Sequence, residues 1–112
     1  MKIAVAVEGR KVSQHFGHCE GFQIFEEKGG SIVMRQFIES PGHQPGFLPN
    51  FLNDFKINVI ISGGMGEGAV QIFNEKGIKV ITGASGDADE IAEKFIQGNL
   101  ESTDSICREH DH

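Results

Sequence analysis

The chain has no tryptophan, no tyrosine, only two cysteines and three prolines in 112 residues, and fewer cations than anions. The missing rings do not starve the interior, because nine phenylalanines and a 38% hydrophobic content suffice for a packed core and exclude a disordered composition. The two cysteines, Cys19 and Cys107, allow one disulfide at most. In a cytosolic chain such thiols more often stay free or hold metal. Ten Lys and Arg against 16 Asp and Glu leave a formal net charge of -6, which opposes attraction to nucleic-acid phosphates and to anionic lipid. The longest strongly apolar run, Ile57 to Ile61, is broken by Asn58 and falls far short of the roughly 20 residues that cross a bilayer. Met1-Lys2 leads directly into a strand-like segment with no visible secretory signal. The expectation is a cytoplasmic protein with neither nucleic acid nor membrane as partner.

The length suits one domain. Ile3 to Val7 is a continuous small-apolar run ending at Glu8-Gly9, the pattern of a strand buried on both faces. Phe22 to Glu27 and Ser31 to Ile38 flank Lys28-Gly29-Gly30 and read as an antiparallel hairpin. Phe47, Leu48, Phe51, Leu52 and Phe55 fall at helical spacing, with Pro49 tolerable in the first turn. Ile57 to Ile61 predicts a second buried strand. A helix with Ala69, Val70 and Phe73 inward follows it and stops at Gly77. Ile78 to Ile81 repeats the strand pattern. Asp87 with Glu90 resembles a capping box, opening a helix striped by Ala88, Ile91, Ala92, Phe95 and Ile96. The order predicts an α/β domain over residues 1–100, a mixed sheet with helices on its faces, and a polar tail over residues 101–112.

Three places carry residues suited to chemistry. The first is Ser13-Gln14-His15-Phe16-Gly17-His18-Cys19, which follows the first strand where open α/β sheets place their ligand crevice. Imidazole and thiolate there suit iron, zinc or copper. The same residues are equally compatible with a turn capped by His15 and a small buried Cys19. The second is Ser62-Gly63-Gly64-Met65-Gly66, whose backbone N–H groups at a helix start could receive an anion, or which could serve only as a tight strand-to-helix turn. The third is Cys107-Arg108-Glu109-His110-Asp111-His112, where one thiol and two imidazoles are within reach of one metal ion, unless the segment is a solvated terminus. His43 could join this set or simply face water. No Ser-His-Asp order, GxSxG motif or paired catalytic carboxylates stand out, so no catalytic residue is assigned.

Taken together, Met1 to Ala6, Val12-Ser13-Gln14-His15-Phe16-Gly17, Ile61-Ser62-Gly63-Gly64-Met65-Gly66, and the later Gly77-Ile78, Gly83 and Gly86 resemble the dinitrogenase iron-molybdenum cofactor biosynthesis family. The resemblance runs to about Leu100. It implies a ribonuclease-H-like three-layer α/β fold with a mixed five-stranded sheet, without nuclease activity. It also implies binding of an iron-sulfur cluster or an iron-molybdenum-type relative, as in carrier or assembly proteins that exchange clusters with donor and acceptor proteins. Phe16 and Gly17, with Ser62 to Gly66, would line the cluster crevice. The three-cysteine radical motif of some fused members has no counterpart in the chain, so cofactor-synthesis chemistry is not implied.

These readings converge on a binding or carrier protein. Cys19 is the first expected metal ligand, then His15 and His18, with Cys107, His110, His112 and His43 as further candidates. The alternatives are a small enzyme or sensor holding a phosphate-bearing ligand at the Gly63 to Gly66 loop with His15 as acid or base, and a mononuclear zinc or iron site.

Overall fold

The computed structural model describes residues 1–42 and 47–100. Its centre is strand β1, Lys2–Glu8, whose Ile3 to Val7 are all buried. Alternation along this strand divides the interior in two: Ala4 and Ala6 enter one core, Ile3, Val5 and Val7 the other. The alanine side makes room for large partners, with Phe16, Phe22, Leu52 and Phe73 all in that cluster.

Strand β2, Lys11–Val12, folds back antiparallel on the end of β1. Strands β3, Gly21–Lys28, and β4, Ser31–Glu39, form the predicted hairpin, with a register shift at Glu26/Glu27. Helix α1 covers Phe47–Asn53, strand β5 Val59–Ile61, helix α2 Glu67–Glu75, strand β6 Lys79–Ile81 and helix α3 Ala88–Ile96. The strand order is β4-β3-β1-β5-β6, with β2 beside β1 off that path. Strand β1 is antiparallel to β3 and parallel to β5, and β5 is parallel to β6, so the sheet is mixed as expected.

The sheet has six strands and not five. The additional one is β2, whose two residues contain a single apolar side chain, Val12, too little to register as a strand period. It forms because Gly9, at φ +64, reverses the chain and sets Val12 opposite Val7. Strand β5 starts later than the apolar run at Ile57 because Asn58 imitates a ladder rung: its Oδ1 accepts from the Lys2 N–H at 2.8 Å, and its own N–H donates to the Lys2 carbonyl at 2.8 Å.

Leu48 and Leu52 of α1 and Phe73 of α2 pack in the alanine-side core, while Ala88, Ile91 and Ala92 of α3 pack in the other, so helices cover both faces of the sheet. Asp87 caps α3 as predicted, its Oδ2 accepting from the Glu90 N–H at 3.1 Å. No described helix is long and apolar enough to cross a membrane.

Candidate functional site

Because β1, β5 and β6 are parallel, the chain leaves all three at one end of the sheet. The three loops that start there are stitched together by backbone hydrogen bonds. Ser13 N–H donates to the Ala6 carbonyl at 2.7 Å, Gly63 N–H to the Ser13 carbonyl at 2.8 Å, Phe16 N–H to the Gly64 carbonyl at 2.9 Å, and Gly83 N–H to the Gly63 carbonyl at 2.8 Å. Ser62 is wholly buried, its hydroxyl donating to the Gly64 carbonyl at 2.9 Å and lying 3.4 Å from the Ser13 carbonyl. Its role is to shape the loop, since the hydroxyl is consumed internally.

Gly63 answers a close approach. A Cβ there would lie 2.8 Å from the Cα of Gln14 and 2.9 Å from its side-chain amide. Gly64 is buried, Gly66 is exposed as the N-cap of α2, and Met65 is wholly buried in the alanine-side core. The Gly63 N–H is therefore occupied by Ser13, and the Met65 side chain serves packing.

A 3-10 turn at Phe16–His18 sorts the His15 to Cys19 segment. With three residues per turn, positions three apart share a side. Phe16 and Cys19 are buried in one cluster, whereas His15 and His18 are exposed and Gly17 is half-buried. The Phe16 ring packs 5.7 Å from Phe22 and 5.5 Å edge-on from Phe73, anchoring the loop. His15 is held from behind: its N–H donates to the Ser13 hydroxyl at 3.2 Å, and that hydroxyl lies 3.0 Å from the Glu8 carboxylate.

Cys19 faces the core. Burial pushes its thiol up to about 11, with the Glu8 charge adding to the shift, so it is a protonated thiol at neutral pH. Among the described residues no three His, Cys, Asp or Glu side chains gather into a metal-holding group. His43, Cys107, His110 and His112 lie outside the described residues.

A cleft of about 470 Å³ opens beside this network, lined by Glu8, Lys11, Val12, Ser13, Gln14, His15 and Gly86. It brings His15 together with residues that sequence spacing did not single out, chiefly Glu8 and Lys11. The signal that could have pointed to them was Gly9-Arg10, a turn that returns Lys11 to the end of β1. His18 and Cys19 do not line it.

The family model for the dinitrogenase iron-molybdenum cofactor matches residues 1–98. The chain belongs to the dinitrogenase iron-molybdenum cofactor family. The family match spans every element described above and leaves Cys107, His110 and His112 beyond it. The chain is similar to the protein MJ0580 of Methanocaldococcus jannaschii, with 32% identity over 106 residues and 90% of each chain covered. It is similar to the crystal structure of PH0822, with 31% identity, a TM-score of 0.86, and 93% of this chain and 96% of that one covered. The apo form of the orange protein from Desulfovibrio gigas shares the fold at 20% identity, with a TM-score of 0.77 and 93% of each chain covered.

Proposed function

We propose that the chain is a small cytoplasmic carrier that takes an iron-sulfur or iron-molybdenum-type cluster as cargo, for assembly, storage or delivery between donor and acceptor proteins, on a ribonuclease-H-like fold. The observation that carries this reading is the exposed imidazole of His15 at a cleft of about 470 Å³, built from segments inside the family match. That volume lies within the range of small-ligand sites.

The donor set determines how the cargo is held. One imidazole lines the cleft, the Cys19 thiol is protonated and turned into the core, and no three-donor group occurs among the described residues. Such a set suits a cargo that brings its own sulfide ligands and is held by hydrogen bonds, charge and one replaceable imidazole, rather than one caged by thiolates. Ligation by Cys19 would require release of its proton and a shift of the Phe16–His18 turn. Weak ligation favours release, which a carrier needs.

The test is anaerobic reconstitution with iron and sulfide, followed by visible absorption and counting of iron and acid-labile sulfide. Coloured wild-type protein with a fixed iron-to-sulfide ratio, weakened in His15→Ala and retained in Cys19→Ser, is the expected result. Colourless, metal-free wild-type protein would sink the reading. Iron or zinc bound without sulfide would replace it with a mononuclear site.

A further inference from the structure

The two-residue strand β2 is fixed on both sides out of proportion to its length. Along β1 it pairs Val12 with Val7 and Lys11 with Glu8. On its other side the Val12 N–H donates to the Gly86 carbonyl at 2.8 Å, Lys11 forms an antiparallel bridge with Asp87, and the Ala88 N–H donates to the Arg10 carbonyl at 2.8 Å. Val12 is buried as the anchor, and the exposed Lys11 lines the cleft beside His15.

Both acidic residues that register sets opposite Lys11 have other hydrogen-bond commitments. The Glu8 Oε2 accepts from the Ser13 hydroxyl at 3.0 Å, and the Asp87 Oδ2 accepts from the Glu90 N–H at 3.1 Å. Among the described residues the Lys11 ammonium takes part in no ion pair. An ammonium that no described residue pairs with, carried on a backbone held from both sides at the edge of the cleft, can meet an anion there.

We infer that Lys11 is the charge-recognition residue of this cleft, and that it selects an anionic metal-sulfur species over a bare metal cation. The inference rests on the carrier reading above. The chain carries a net charge of -6 and repels anions at long range, so close-range attraction has to come from a placed cation. Glu8 lines the same cleft, and without Lys11 its carboxylate would face the cargo unopposed.

The experiment is equilibrium dialysis of the full chain against tetrathiomolybdate, a small dianionic metal sulfide, with molybdenum counting at low and high salt. Lys11→Met is compared with Lys11→Arg and with Lys28→Met, which makes the same charge change at an exposed position where β3 ends. Thermal midpoints confirm that all variants are folded. Lys11→Met is expected to weaken binding by about tenfold or more and to flatten its salt dependence, while the other two stay near wild type. Wild-type affinity in Lys11→Met overturns the inference and leaves the carrier reading standing. No binding of tetrathiomolybdate by the wild type overturns both. If inorganic phosphate competes equally well in a Lys11-dependent way, Lys11 stands as an anion reader, and its preference for metal sulfide is overturned.

Discussion

The N–H of Gly63 donates to the carbonyl of Ser13 at 2.8 Å, joining the loop after β5 to the loop after β1 where both leave the sheet. The bond is possible only because position 63 has no side chain: a Cβ would meet the backbone and side chain of Gln14 at 2.8 to 2.9 Å. Gly63→Ala is therefore expected to cost about 1 to 3 kcal/mol through overpacking, and to loosen the His15 loop. Gly68→Ala is the control. It lies in α2 with nothing within 4 Å of its would-be Cβ, so alanine there should stabilise by about 0.5 to 1 kcal/mol. Urea midpoints that move in the same direction for both variants would contradict this account.

Ser13 is 1% exposed and binds the backbone of His15 to the side chain of Glu8 through one hydroxyl. Ser13→Ala removes those contacts and leaves the His15 N–H without its acceptor, at a cost of about 1 to 3 kcal/mol. Glu8→Gln keeps an oxygen for the Ser13 hydroxyl to donate to and should cost less. Chemical denaturation of the two variants reads the difference. Equal losses would mean that the Glu8 charge, not its acceptor, shapes the loop.

These two residues also show what was legible in the sequence. The strands at Ile3 to Val7 and Phe22 to Glu27 were readable because burial imposes apolar runs, the largely exposed Ser31 to Ile38 strand because β-prone residues follow the Gly29-Gly30 turn, and α3 because Asp87 and its apolar stripe agree. Strand β2 was not, since two residues have no period and its pairing depends on a turn and on the distant Gly86 to Ala88 segment. For the same reason Glu8 and Lys11 went unnoticed: only register brings ordinary charged residues to a cleft. The meeting of the Ser13 and Gly63 loops was expected through the family resemblance, which sets Phe16 and Gly17 with Ser62 to Gly66 along one crevice. A buried Cys19 was one of two readings left open at that loop, and the 3-10 geometry that pairs it with Phe16 turns it inward.

The burial of Cys19 has a consequence in alkaline solution. Its thiol sits at about 11 against an ordinary 9.0, chiefly because of burial and secondarily because of Glu8. The folded protein therefore holds the proton more tightly than the unfolded chain, so this contribution to stability is fully present below pH 9 and is lost as pH rises through about 11. Denaturation midpoints of Cys19→Ala should fall less steeply over that window than those of the wild type. In a Cys107→Ser background, iodoacetamide should label Cys19 about a hundredfold more slowly in the folded protein than in urea, from the thiolate fraction alone. Equal labelling rates would place the thiol outside the core.

Lys56 adopts φ 60, the left-handed conformation, where the chain leaves α1 on the way to β5. Its N–H donates to the Asn53 carbonyl at 2.9 Å, so the conformation closes the helix end and cannot be relaxed without losing that bond. A lysine there bears a Cβ clash of about 1 kcal/mol or more that glycine avoids, although glycine returns part of the gain through the greater freedom of its unfolded chain. Lys56→Gly is expected to raise the thermal midpoint by a few degrees, whereas Lys56→Ala, which keeps the Cβ, should give no such rise. Scanning calorimetry of the two variants separates relief of backbone strain from simple loss of the lysine charge: if alanine stabilises as much as glycine, the charge and not the φ angle was the burden.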